Sequence, residues 1–332
     1  MSLRLKFIFT KKLSFKKVAN VFHVIIGYLL SIILKKSIVY GKPYSLTIEP
    51  VNYCNLKCPE CIVGSGGLNR PKGNIDVYLY KKILNILSPY LVNLFLYYQG
   101  EPFLHPQIID LISYAQKKRV FTVISTNGCF IDKETARNLI YSGLDKLIIS
   151  LDGFSEKSYL LYRKNSDFEK VKQNIKTIAS LKTILGKKSP ELIVQVLITK
   201  NNEHELINTG QIKKKLGVDR IELKTLQVLD INKTNSLLPE NKKYTRYKKS
   251  PTGKYELKRK IKNRCFRLLN SAVITWNGDV LPCCFDKNGV FTMGNIQKIR
   301  FAKIWQSKNY QAFRNTILKN RKSINICNNC VE

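Results

Sequence analysis

At 332 residues the chain is long enough to bury a full core and to carry one large domain with a smaller one beside it. Its composition, 44% hydrophobic and 10% aromatic, excludes a disordered polymer; nine cysteines at short spacings without a secretory signal exclude a disulfide scaffold and point to metal sites in a reducing compartment, the cytoplasm. The formal net charge of +34 favours anionic partners such as lipid headgroups or an acidic peptide, but the lysines are scattered among Asn and Ile rather than striped, so nucleic acid is not expected as a partner.

Residues 1–40 read as a separate N-terminal segment. Residues 1–17 are basic, with Arg4, Lys6, Lys11, Lys12, Lys16 and Lys17. Val18, Val21, Phe22, Ile25, Ile26, Leu29, Leu30 and Ile33 then keep a helical period, while Ala19, His23, Gly27 and Ser31 make a narrow strip of small or polar residues. The uncharged run is slightly short for a bilayer span, and Lys35 and Lys36 make both flanks positive, which sets no orientation. No small-residue cleavage site follows, so a signal peptide is not expected. The expectation is a helix that caps the next domain; a basic amphipathic helix lying on the inner membrane face, giving peripheral contact, is the alternative. His23 reads as an ordinary helix residue.

A β-rich run at 45–51 leads into Cys54-Asn55-Leu56-Lys57-Cys58-Pro59-Glu60-Cys61. Thiolates are the ligands that iron–sulfur clusters and zinc demand, and both want four. Cys54, Cys58 and Cys61 supply three, which leaves one metal ion open to an outside ligand. A zinc knuckle borrowing a ligand from elsewhere is the bland alternative.

Further strands are expected near 92–98, 120–125, 145–150, 192–198 and 219–226, with helices near 76–88, 107–118, 132–142, 167–185 and 203–215. Asp132 and Asp167 suit N-caps, and Gly143 and Gly217 sit where helices stop. Alternating β/α units imply parallel strands with right-handed crossovers, and pattern alone does not separate an open sheet from a barrel. Ligands in such folds collect at the carboxyl ends of strands, where the chain places Gln99-Gly100-Glu101-Pro102, Ser125-Thr126-Asn127-Gly128 and Ser150-Leu151-Asp152-Gly153. Gly100 lets backbone approach a ligand closely. His105 reads as a loop residue entering a helix, His204 as solvated and Cys129 as a small buried hydrophobe.

Residues 227–262 lose periodicity and gain charge, from Lys233 to Lys262, with Pro239, Pro251 and Gly253 as punctuation; a solvated surface connector is expected. In 263–332, Cys265 precedes an apolar run at 271–276, the tight-turn pair Asn277-Gly278, and a return strand ending in Pro282-Cys283-Cys284. Pro282 suits an exposed edge. A helical region near 299–320 containing Trp305 leads to Cys327-Asn328-Asn329-Cys330. Cys265, one of the Cys283/Cys284 pair, Cys327 and Cys330 are four thiols, enough for a closed cubane; a zinc site has the same count.

The C-x3-C-x2-C loop, with the strand-end turns behind it, resembles the radical S-adenosylmethionine (SAM) superfamily. The resemblance implies a partial (β/α)6 TIM-like barrel over 41–226, with Cys54, Cys58 and Cys61 holding a 4Fe–4S cluster. Its open iron would chelate the methionine end of S-adenosyl-L-methionine, and reductive cleavage would yield a 5′-deoxyadenosyl radical that takes hydrogen from a substrate carbon. Gly100 and Glu101 would meet the SAM ammonium, Thr126, Asn127, Ser150 and Asp152 the cofactor's other polar groups, and Arg163 its carboxylate. Residues 263–332 resemble the SPASM extension in its shortened, one-cluster "twitch" form, a small C-terminal auxiliary-cluster domain of β-hairpin plus helix. There Cys265, Cys283, Cys327 and Cys330 would hold a second, auxiliary 4Fe–4S cluster that accepts an electron and makes the reaction a net oxidation. In sulfatase-maturating relatives an aspartate base follows the cysteine matching Cys283; here Cys284 stands in its place, so no substrate base is assigned. Implied partners are an electron donor such as flavodoxin or ferredoxin and a small-molecule or peptide substrate. Radical carbon–carbon or carbon–sulfur bond formation on a peptide is the competing outcome, and a non-catalytic iron–sulfur or zinc protein at an anionic surface the reading of another class.

Overall fold

The computed structural model describes residues 12–231, 236–251 and 254–330. The basic residues Arg4, Lys6 and Lys11, and Lys233 and Gly253 of the connector, lie outside the described residues.

Six strands alternate with helices: β1 (Ser45–Ile48), α2 (Val77–Leu87), β2 (Asn93–Phe95), α3 (Ile108–Lys117), β3 (Phe121–Thr126), α4 (Lys133–Tyr141), β4 (Lys146–Ser150), α5 (Glu156–Tyr162), α6 (Phe168–Ile184), β5 (Glu191–Ile198), α7 (Thr209–Leu216) and β6 (Arg220–Thr225). Helix α1 (Phe15–Ile33) precedes them. Helix starts follow the expected chemistry: Asp132 accepts a hydrogen bond from the Thr135 amide and Asp167 from that of Lys170. Gly217 ends α7 at φ +68, the left-handed region that a glycine enters without cost. The expected helix at 203–215 is a 3-10 turn (Glu203–Asn208) running into α7, with His204 exposed. Helix α5 was not foreseen; Ser155 caps it.

Strands β1 to β6 pair in parallel and in order, each with its sequence neighbour. Leu46, Ile48, Leu94, Ile124, Leu147, Ile149, Leu192 and Val194 pack under the helices in the main core. The other face carries a small cluster of Val123, Ile148 and Ile193 with Phe95, Tyr97 and Phe121. Central strands such as β4 are therefore buried on both faces, which is why they read as unbroken apolar runs.

The C-terminal hairpin forms as expected from β9 (Ser271–Ile274) and β10 (Asp279–Leu281), turning at Gly278 with φ +86. It is not a free ribbon. Strand β9 pairs in parallel with β1, Ser45 opposite Ser271 and Ile48 opposite Ile274, so the hairpin extends the barrel sheet to nine strands. The outermost strand is β11 (Gly294–Asn295). Pro282 is buried just past β10 rather than exposed, and β10 is not an edge, since β11 pairs with it at Asp279 and Val280. Beyond it, α9 (Phe301–Trp305) and α10 (Lys308–Asn320) pack around Arg314, whose guanidinium lies 4.1 Å from the Trp305 ring centre and 3.8 Å from that of Tyr310. Arg314 also donates to Leu268 O and Trp305 O, and Trp305 Nε1 donates to Gly41 O, so this region is fastened to the start of the barrel.

The connector needs correcting. It holds a second hairpin, β7 (Tyr247–Lys249) with β8 (Tyr255–Leu257), and Val228, Leu238 and Tyr247 are buried in the main core. Most of its described lysines face water, but Arg246 donates to Thr225 O and Oγ1 at the end of β6, and with the three apolar anchors this makes the connector part of the body rather than a solvated tether.

Candidate functional site

The turns that follow the strands meet at the cysteine loop. Gly100 sits at φ +78, and a Cβ there would stand 2.7 Å from the backbone of Val51 and Tyr53. Only glycine lets this turn lie so close to the cysteine loop, which Glu101 N then ties down by donating to Tyr53 O. The Glu101 carboxylate is buried; it accepts from Thr126 Oγ1 at 2.6 Å, Asn127 N at 2.7 Å and Phe103 N at 3.1 Å. Burial pushes its pKa up, and these three donors oppose the shift. The turns after β2 and β3 are thereby locked together.

From there Asn127 reaches the cysteine loop. Its Nδ2 donates to Asn55 Oδ1 at 2.8 Å and lies 3.8 Å from Cys54 Sγ. On the other side Arg163 places Nη1 3.8 Å from Cys58 Sγ. Its Nε donates to Asp152 Oδ2 at 2.6 Å, and Asp152 Oδ1 accepts from Leu197 N, so Asp152 is a buried clamp that aims the guanidinium. Ser150 ends β4 opposite Gln195. All the site residues expected around the first three cysteines thus lie at the carboxyl ends of strands or on the segments that follow them, and the link through Asn55 is one that sequence reasoning missed.

The thiols suit a cluster. The Leu56 amide donates to Cys54 Sγ at 3.4 Å, as backbone donors do to a sulfur bearing negative charge. Burial lifts the Cys54 thiol to about 11 and also raises Cys58, so both are thiols at neutral pH until a bound metal displaces their protons. Among the described residues no three His, Cys, Asp or Glu side chains converge tightly enough to hold one ion.

The second thiol set lies between the two ends of the sheet. Cys283 and Cys284 follow β10, while Asn329 donates to Val228 O and accepts from Tyr247 OH, just past β6. Cys327 and Cys330 flank it, and Arg321, fully buried, donates to Cys330 Sγ at 3.2 Å. Cys265 and Cys327 are also within this guanidinium's field. Nothing in a chain with 57 Lys and Arg marks Arg321 out beforehand. Cys283 and Cys284 lie within hydrogen-bond reach of each other, and their other partners differ. Cys283 lies by Cys265 and accepts from Phe285 N; Cys284 is held by Arg267 Nη1 at 3.1 Å and lies in the field of Tyr97 and Tyr98, past β2. His105 is not near chemistry: its buried ring bridges Ile75 O and the Gln107 amide. Cys129 is buried against Ser166.

Comparison with known proteins gives two family matches: residues 48–209 match the radical SAM superfamily and residues 265–331 an iron–sulfur cluster-binding domain, SPASM. The "tungsten-containing aldehyde ferredoxin oxidoreductase cofactor-modifying protein" of Pyrococcus furiosus is 25% identical over 81% of this chain and 82% of its own. The "antilisterial bacteriocin subtilosin biosynthesis protein AlbA" of Bacillus subtilis is 25% identical over 81% of this chain but only 60% of its own. Among solved structures, Streptococcus suis SuiB bound to S-adenosylmethionine superposes with a TM-score of 0.65 at 18% identity, over 88% of this chain and 73% of that one. At that identity the likeness is one of fold.

Proposed function

The chain belongs to the radical SAM superfamily and carries a SPASM domain, and we propose that Cys54, Cys58 and Cys61 hold the cluster that acts on S-adenosylmethionine while Cys265, Cys283, Cys327 and Cys330 hold an auxiliary one. When bound, a 4Fe–4S cluster with one iron free of protein ligands supplies the electron that cleaves S-adenosylmethionine, and the radical so released takes hydrogen from a substrate carbon. The observation that carries this assignment is the convergence of Asn127 and Arg163 on the thiols of Cys54 and Cys58.

The residues divide the work of holding the cofactor. Gly100 brings the turn after β2 against the cysteine loop, where backbone and the Glu101 carboxylate would meet the cofactor's cationic amine. Arg163, its Nε satisfied by Asp152, offers the rest of its fork to a carboxylate. Thr126 and Asn127 hold Glu101, and Ser150 and Asp152 close the far side. We leave Cys284 outside the auxiliary set because its sulfur accepts from Arg267 Nη1, whereas Cys283 is the one of the pair that lies by Cys265.

The substrate we assign is a peptide, in keeping with AlbA, a bacteriocin biosynthesis protein, and with the strongly positive chain, which suits an acidic one. Modification of a small molecule is the second reading, favoured by the Pyrococcus relative, a cofactor-modifying protein. Net oxidation of a substrate carbon is the outcome proposed, in the cytoplasm, with a flavodoxin or ferredoxin as electron donor. The test is anaerobic: with iron, sulfide, dithionite and S-adenosylmethionine the protein forms 5′-deoxyadenosine, and a Cys54→Ala, Cys58→Ala, Cys61→Ala variant does not. A wild-type protein with intact clusters and no product above background would end this reading.

A further inference from the structure

Helix α1 is turned inside out relative to an ordinary surface helix. A mostly polar or small face lies against the body: Lys17, Asn20, Val24, Gly27 and Ser31 are buried, whereas His23 of the expected strip is exposed. Phe15, Phe22, Ile26, Leu29 and Ile33 fall within an arc of roughly 60° on the opposite side, and they are exposed by 90%, 60%, 47%, 53% and 71%. Apolar side chains in such a continuous stripe mark an interaction surface rather than scattered surface residues.

The inward strip explains the orientation. Asn20 exchanges hydrogen bonds with the backbone of Lys42, Lys17 Nζ donates to Arg119 O, Lys12 pairs with Asp145 at 2.6 Å, and Ser31 bonds Ile38. Lys42, Arg119 and Asp145 each precede a strand, β1, β3 and β4 respectively. Helix α1 therefore lies across the amino-terminal ends of the strands, on the side opposite the cysteine loop. It is pinned along its length, so it cannot span a bilayer without breaking these bonds.

We propose that α1 docks flat on an anionic phospholipid bilayer, with the mouth of the barrel turned away from the lipid and open to water. Charge complementarity selects this occupant: exposed Lys16, Lys35 and Lys36 bracket the apolar stripe at headgroup level, and the chain as a whole carries +34. The expected capping helix and the expected membrane helix are then one element seen from its two sides.

The test uses the full chain with phosphatidylcholine vesicles, with and without phosphatidylglycerol. Binding is expected only with phosphatidylglycerol and weakens as salt rises. The variant Phe22→Glu, Leu29→Glu alters two side chains more than half exposed, so the fold survives, and binding falls by at least about tenfold. For orientation, the emission that Phe22→Trp adds to that of Trp276 and Trp305 is quenched by brominated lipid, while the emission added by Ser65→Trp, at an exposed position beside the cysteine loop, is not. Four results would overturn the proposal: no vesicle binding, an unquenched Phe22→Trp, vesicle binding that resists an alkaline wash as a spanning helix does, or a lipid-free dimer that Phe22→Glu disperses.

Discussion

Arg70 offers a sharp test of how the C-terminal thiols are held to the barrel. Glu49, the residue after β1, is fully buried and receives Arg70 Nη1 at 2.7 Å and Nη2 at 2.6 Å, while Trp276 N at the hairpin turn also donates to it. Arg70 Nε in turn donates to Lys287 O, beyond Cys284. One fork thus links the first strand, the loop after Cys61 and the C-terminal lobe. Replacing Arg70 by Met removes both guanidinium donors and the positive charge, leaving a buried carboxylate with backbone amides alone, and breaking one side of a buried pair costs about 3–5 kcal/mol. Burial already holds Glu49 above the usual carboxylate range; without Arg70 it rises further. The sign follows: an acid raised in the folded state loses stability as pH climbs through its folded pKa, so the defect is largest near neutrality and fades below the unfolded carboxylate pKa. Urea unfolding read by tryptophan fluorescence suits the question, because the two tryptophans, Trp276 and Trp305, both lie in the C-terminal lobe. Arg70→Met should lower the midpoint sharply, and Glu49→Gln, Arg70→Met should recover most of the loss, since no charge is then stranded. A single variant that costs under about 1 kcal/mol, or a double variant no better than the single, would refute this view of a welded interface.

Three further outcomes are expected. Gly100→Ala forces a side chain into backbone at 2.7 Å and into a left-handed φ; the cost of about 1–2 kcal/mol in strain alone should appear as lost iron at the first site with the auxiliary iron retained, read by iron analysis in a background lacking Cys265 and Cys283 and in one lacking Cys54, Cys58 and Cys61. Cys283→Ser should remove auxiliary iron while Cys284→Ser leaves it, and the reverse result would reassign the pair. Lys17, held at about 8 by burial and then by Lys12 and Arg119, binds its proton less tightly folded than unfolded, where 10.5 is ordinary. Stability should therefore rise between about pH 8 and 10.5, by no more than about 3 kcal/mol, and Lys17→Met should flatten that rise in thermal melts.

The barrel was legible because its signals are local. Asp132 and Asp167 cap the helices that their positions promised, and strands buried on both faces announce themselves as apolar runs. The cysteine loop was legible for the same reason. What sequence did not reveal depends on partners far along the chain. The period of α1 shows which residues share a side, yet not which side faces in; that depends on distant backbone groups, the Arg119 and Lys42 carbonyls and the Ile38 amide, which Lys17, Asn20 and Ser31 satisfy. Asn277-Gly278 signals a hairpin but not that β9 also pairs with β1. In the connector, abundant lysine hid the single buried ring of Tyr247 that anchors it.

The central claim is that one iron, at the cluster of Cys54, Cys58 and Cys61, is left for an outside ligand. Mössbauer spectroscopy of the iron-57 protein, with and without S-adenosylmethionine, tests it directly. The expected result is a change at a single iron subsite on adding the cofactor, absent from the Cys54→Ala, Cys58→Ala, Cys61→Ala variant. A spectrum that the cofactor leaves unaltered, or a change that survives in that variant, would contradict the assignment.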